Sequence, residues 1–162
     1  MSSNNSKVKK YTFALYAGAF IICFCINITG PFLSDIMTDY NITLQDGGIM
    51  TFCQYLGGIA AVFLFSKAVD RSIKPLTLIV SSGIAAGMLF FIGSFLPFNM
   101  FIMLYLIFGA ALGIVDTVNS AILTDLYPEK TGSMLSLFHG ICCIGAATVP
   151  VISALLGASS WK

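Results

Sequence analysis

The sequence predicts an all-α membrane protein of about five transmembrane helices, and three observations carry that prediction. Of 162 residues, 57% are apolar and only 9% charged, whereas an average soluble domain is roughly a quarter charged. The mean hydropathy of +0.93 leaves too few polar residues to cover a soluble domain this small, since small domains leave much of their surface in water. The apolar residues also fall into runs bounded by polar or breaker residues, and the runs are close to the ~20 helical residues that cross a hydrocarbon core of roughly 30 Å.

The spans follow in order at 11–33, 47–65, 76–96, 100–123 and 134–157, after a short tail at 1–10. Helices are expected because each run is too long for a barrel strand, and in lipid every backbone N–H and C=O must bond within its own segment. The spacing of Gly83 with Gly87, and of Gly109 with Gly113, is the small-xxx-small pattern that lets membrane helices approach closely. The first run resembles a secretory signal in its KVKK start. It is nevertheless expected to be a retained span, because it continues well past the roughly 7 to 15 residues of a signal core, and its small residues Ala17, Gly18 and Ala19 lie inside it.

Orientation follows from the basic residues, which concentrate in short cytoplasmic loops. Lys7, Lys9 and Lys10 precede the first span, Lys67, Arg71 and Lys74 join the second to the third, and Lys130 joins the fourth to the fifth. The opposite loops, SDIMTDYNITLQD and LPFN, hold neither Lys nor Arg. The N-terminus is therefore expected in the cytoplasm.

Several classes of function are disfavoured. A net charge of +1 is a poor match for nucleic acid, whose binding leans on clustered Lys and Arg. The cysteines, Cys23, Cys25, Cys53, Cys142 and Cys143, sit in apolar runs without CxxC spacing or a His cluster, so they read as small hydrophobes and no metal site is expected. With no nucleophile motif or phosphate-binding loop, and with loops too short to build a site, the chain is expected to be neither an enzyme nor the holder of a cofactor.

Polar groups deep in a span are costly and are functional candidates by default. Asn27, Gln54, Asp116 and His139 stand out, with Asn119 one turn beyond Asp116. Asp116 and His139 lie about equally far from Pro128, so a hairpin places them at one level in the cytoplasmic half of the membrane. Asn27 and Gln54 flank the first external loop in the same way and share a level in the outer half. Gly109, Gly113, Asp116 and Ser120 form a small, polar stripe at helical spacing. Two readings stand side by side for these residues. They line a pathway for substrate or protons, or they glue helices together through hydrogen bonds worth about 1 kcal/mol. Asp116 leans toward the pathway, because a carboxylate in lipid must be paired, wet or protonated. His139 brings a ring that changes charge near neutral pH.

The order of features resembles the major facilitator superfamily of secondary transporters. NITGPFLSDIMTDYNITLQDGGIMTFCQYLGGI is similar to its first two helices and the loop between them. FSKAVDRSIKPLTL resembles its signature between the second and third helices, G-x-L-a-D-R-x-G-R-K: Asp70, Arg71 and Lys74 match in place, while Ser66 and Ile73 replace the two glycines. GAALGIVDTVNSAIL and SMLSLFHGICCIGAATVP resemble the fourth and fifth helices of the fucose, galactose and glucose proton symporter branch.

The resemblance implies an incomplete six-helix half of a major facilitator bundle, with the sixth helix and the second half, which transport requires, lying beyond this sequence. The implied function is proton-linked transport of a sugar or similar small polar metabolite by alternating access, with the substrate, protons and the lipid bilayer as partners and a bacterial cytoplasmic membrane as location. A drug or lipophilic-compound exporter of the same superfamily, and a transport-inactive membrane fragment, are the competing expectations. Asp70, Arg71 and Lys74 are expected to act as a gating contact at the inner surface, or else only to set orientation.

The topology has a direct test. Single cysteines placed at Asp39 and Arg71 should be labelled from outside and inside respectively by an impermeant maleimide, and labelling of both from one side overturns the span count.

Overall fold

The computed structural model describes residues 2–71, 73–92, 94 and 96–155, with the backbone alone at residues 2–6 and 68–71. Among the described residues six α-helices follow one another: α1 (Ser2–Asn27), α2 (Thr29–Tyr40), α3 (Leu44–Arg71), α4 (Lys74–Ile92), α5 (Phe98–Leu126) and α6 (Thr131–Leu155), with a short 3₁₀ turn at Pro128–Lys130 ahead of the last. Helices α1 and α2 run on through one span, so among the described residues five helical stretches are long and apolar enough to cross a membrane. The chain is an all-α integral membrane protein.

The first span departs most from its expected bounds. Helix continues to Tyr40 and only residues 41–43 connect it to α3, where the sequence reads as a thirteen-residue loop. The polar residues of that stretch occupy one face of α2. The other face turns inward: Ile36 is buried, and the Tyr40 ring packs on Phe101 at 5.0 Å and Phe98 at 6.1 Å. The join between α1 and α2 has a local cause in Pro31, which has no N–H to offer the carbonyl of Asn27 four residues earlier but fits within the first turn of a new helix. Asn41 stops α2 in a left-handed conformation at φ 51°, which Asn tolerates better than most residues. Thr43 and Asp46 then cap α3 reciprocally, the Thr43 N–H donating to Asp46 Oδ2 at 2.9 Å and the Asp46 N–H to Thr43 Oγ1 at 3.3 Å.

The remaining helices also overrun or fall short of the apolar runs by a few residues, because hydropathy marks the hydrocarbon boundary while helix can continue into the interface. Helix α3 reaches Arg71 and α5 reaches Leu126, whereas α4 ends at Ile92, before a turn closed by the Ser94 N–H on the Phe91 carbonyl.

Helix α5 is the hub, packing against α1, α3, α4 and α6. Its buried residues Phe101, Tyr105, Phe108, Leu112 and Val115 form a core with Met50, Ile36 and Ala85. A second core at the other end joins Leu15 and Ala19 of α1 to Leu123 of α5 and to Phe138 and Cys142 of α6. Backbone meets backbone between α3 and α5: a Cβ on Gly109 would overlap the Gln54 carbonyl, and one on Gly57 the Leu106 carbonyl. Gly113 likewise lies against Gly58, and Gly145 of α6 against the Phe20 carbonyl of α1. Of the two glycine pairs singled out in the sequence, Gly109 and Gly113 make a close helix contact, while a Cβ at Gly83 or Gly87 meets nothing within 4 Å.

Side-chain contacts tie the helix ends. At one end Thr12 and Tyr127 share a hydrogen bond of 2.7 Å, the Tyr16 hydroxyl donates to the Met134 carbonyl at 3.4 Å, and Lys74 Nζ donates to Asp125 Oδ2 at 2.6 Å. Toward the other end, Thr29 and Tyr105 share a buried hydrogen bond of 2.9 Å.

Gly109→Ala should lower stability by about 1–3 kcal/mol, the usual cost of overpacking a filled contact. Gly87→Ala, which faces open space, should leave stability unchanged or raise it by up to about 1 kcal/mol through helix propensity. Denaturant titration of both variants in detergent micelles checks the contrast, and equal effects would refute the backbone contact.

Candidate functional site

Four helices enclose a cavity of about 460 Å³. The α3 wall runs from Gln54 through Tyr55, Gly58, Ile59 and Val62 to Phe63; α5 contributes Gly109, Leu112, Gly113, Asp116 and Thr117; Cys23 and Ile26 come from α1, and His139 and Cys142 from α6. Helix α4 takes no part. The glycines matter here for space as well as for packing, because Gly58, Gly109 and Gly113 add no side chains to the wall.

Three of the five pathway candidates meet in this cavity. Gln54 is almost fully buried, at 4% exposure, and its Nε2 donates to the Ile26 carbonyl at 3.3 Å. That bond crosses from α3 to α1 close to the α1–α2 break, and among the described residues the amide oxygen has no hydrogen-bond donor. Asp116 lies seven residues beyond Gly109, which packs on Gln54, so it sits about 10 Å further along the bundle at 1.5 Å per residue. Asp116 is half-buried and His139 exposed. The two interact electrostatically across the α5–α6 hairpin, and among the described residues no hydrogen bond joins them. The His139 ring stands edge-on to Phe138, at 5.3 Å and 82°, so Phe138 points into the core while His139 remains on the cavity side.

Asn27 and Asn119 lie elsewhere. The Asn27 amide donates back to the Cys23 carbonyl of its own helix at 2.8 Å, and the residue lines a separate cleft of about 480 Å³ with Pro31, Pro150 and Ser153. Asn119, 2% exposed, turns toward a groove of about 320 Å³ between α1 and α4. Its Nδ2 is 3.5 Å from where a Cβ on Gly18 would stand. The reason is angular: three residues along a helix of 3.6 per turn rotate the side chain about 60° away from Asp116. Ser120 of the expected stripe is absent from the cavity wall.

Of the expected gating residues, the side chains of Asp70 and Arg71 fall outside the described residues. Lys74 is described, and it pairs with Asp125 across the N-terminal end of α4 and the C-terminal end of α5. Sequence reasoning missed Asp125. Its signal was an acidic residue at the same end of the bundle as the basic loops, which names a neighbourhood without naming a partner. It also missed Cys23 and Cys142, which look like ordinary apolar-run residues until the helices are docked.

With this geometry in place, comparison with known proteins gives two findings. Residues 15–162 match the family profile described as Major Facilitator Superfamily. The chain is also 27% identical over 151 residues to "Major facilitator superfamily domain-containing protein 4A" of Danio rerio, an alignment covering 89% of this chain and 28% of that protein. The chain thus spans under a third of the length of that relative.

The Lys74–Asp125 pair has an exposed carboxylate, 61% accessible, so it should stabilise the fold by only about 0.2–1 kcal/mol. A double-mutant cycle with Lys74→Ala and Asp125→Ala should show coupling of that order that shrinks at high salt. Zero coupling at low salt would mean that the pair does not hold these helix ends.

Proposed function

The chain belongs to the major facilitator superfamily, and from that premise we propose that it forms the front part of a proton-linked transporter of a sugar or similar small polar metabolite. The observation that carries the reading is the meeting of Asp116, His139 and the buried Gln54 in one cavity walled by four helices. A carboxylate at mid-helix in lipid is costly, and such residues serve ion and substrate pathways. Here the cost is met by an open space and an imidazole rather than by a fixed partner, an arrangement suited to a group that must gain and lose a proton.

In this reading Asp116 carries the proton and His139 adjusts its local field, while the Gln54 amide oxygen accepts a hydrogen bond from a substrate hydroxyl. Asn27 and Asn119, lining separate clefts, are assigned to helix packing. Transport then requires the C-terminal half, with the two halves rocking about the shared site. Lys74 and Asp125, with Asp70 and Arg71 nearby in sequence, latch helix ends at the inner surface.

A second reading draws on the same walls. Tyr55, Ile59, Val62, Phe63 and Leu112 make most of the α3 and α5 surface apolar, which suits an exporter of lipophilic compounds.

Asp116→Asn keeps size and most hydrogen bonding but cannot release a proton. In the full-length protein reconstituted in liposomes, the variant should lose pH-driven accumulation of a sugar at least tenfold while still exchanging it across the membrane. Normal pH-driven uptake would return Asp116 to a helix-packing role. Wild-type protein that moves lipophilic cations or dyes and no sugar would favour the exporter.

A further inference from the structure

Two thiols that share the cavity wall come from different helices. Cys142 of α6, 8% exposed, donates its S–H to the Ala19 carbonyl of α1 at 3.7 Å, and Cys23 stands one turn beyond Ala19 on the same helix. The contact follows from how closely the helices run, since Gly145, one turn further along α6, leaves no room for a Cβ against the Phe20 carbonyl. All five cysteines are free. The other three are placed differently: Cys143 is exposed on the next position of α6, Cys25 lines the groove between α1 and α4, and Cys53 lies on α3.

A disulfide needs Cβ atoms roughly 3.5–4.5 Å apart, and the Cys142–Ala19 and Gly145–Phe20 contacts put the two thiols on facing turns of closely packed helices. Both residues also line the cavity, so a small reagent entering it reaches both. Asp116 lines the same cavity.

We propose that Cys23 and Cys142 form a modification site at which a two-electron thiol oxidant of the diazenedicarboxamide class closes an interhelical disulfide beside Asp116. One thiolate adds to the N=N bond of the oxidant. The second thiolate then attacks the first sulfur, the S–S bond forms as the S–N bond breaks, and the hydrazine leaves carrying the two electrons and the two protons that the thiols gave up. A dithiol reductant reverses the change. The cross-link ties α1 to α6 along the cavity wall, and its effect on transport rests on the function proposed above, whereas its formation does not.

The test treats the chain in lipid nanodiscs with diamide, blocks remaining thiols with N-ethylmaleimide and maps the products by peptide mass spectrometry. The expected product is a Cys23–Cys142 linked pair about 2 Da lighter than the two thiols, reversed by dithiothreitol, with the other three cysteines carrying maleimide. Cys143→Ser should form the same link and Cys142→Ser should not. Maleimide on both Cys23 and Cys142 after diamide, or a link made through Cys143 or between two molecules, would overturn the proposal. If the link forms in the full-length protein and exchange of sugar continues unchanged, the thiol site stands and the transport reading of this cavity falls.

Discussion

The contact between α3 and α5 governs the geometry of the rest of the bundle. In lipid there is no hydrophobic drive to bring two apolar helices together, so association depends on close packing and hydrogen bonds. Here the backbones meet directly: the Gln54 and Leu106 carbonyls occupy the places where Cβ atoms of Gly109 and Gly57 would stand. That approach aligns the Gln54 face of α3 with the Asp116 face of α5, and the cavity is the space beside the seam. A similar but lesser contact, Gly145 on Phe20, sets α6 against α1 and brings His139 and Cys142 to the opposite wall.

The polar groups inside this frame divide by how they are satisfied. Gln54 is bonded to a backbone carbonyl of another helix, Asn27 to its own helix, and Thr29 and Tyr105 to each other. Such bonds hold shape. Asp116 and His139 line one cavity, with no hydrogen bond between them among the described residues. A group held loosely can change protonation state without dismantling the fold, and this contrast supports the pathway role proposed for Asp116.

The two ends of the bundle are built from different chemistry. At the end carrying the N-terminal basic residues, Lys74–Asp125, Thr12–Tyr127 and Tyr16–Met134 are polar contacts between helix termini. The other end is closed by the rings of Tyr40, Phe98, Phe101 and Tyr105. Polar ties near water are weak and exchangeable, whereas packed rings add dispersion and buried area. The first end is therefore the easier one to loosen, which suits the gating role proposed for Lys74 and its neighbours.

Much of the fold was legible in the sequence because lipid restricts the alternatives. A run of about 20 apolar residues in a bilayer has to be a helix, so the number and order of the spans followed from hydropathy, while the superfamily was suggested by the resemblance of motifs such as Asp70, Arg71 and Lys74. The hairpin around Pro128 was enough to suggest that Asp116 and His139 share a level. Rotation about each helix axis was not legible. Asn119, one turn from Asp116, looks like part of the same stripe, yet docking of α5 among four neighbours turns it toward α1 and α4. The helical course of residues 34–40 was hidden because its polar face reads as loop until Ile36 and Tyr40 find the core. The partners Asp125 for Lys74, Ala19 for Cys142, and Ile26 for Gln54 are distant in sequence. Composition and period determine that a segment is a helix in lipid, whereas which side of it faces which neighbour depends on close contacts between whole helices and is decided only when they pack.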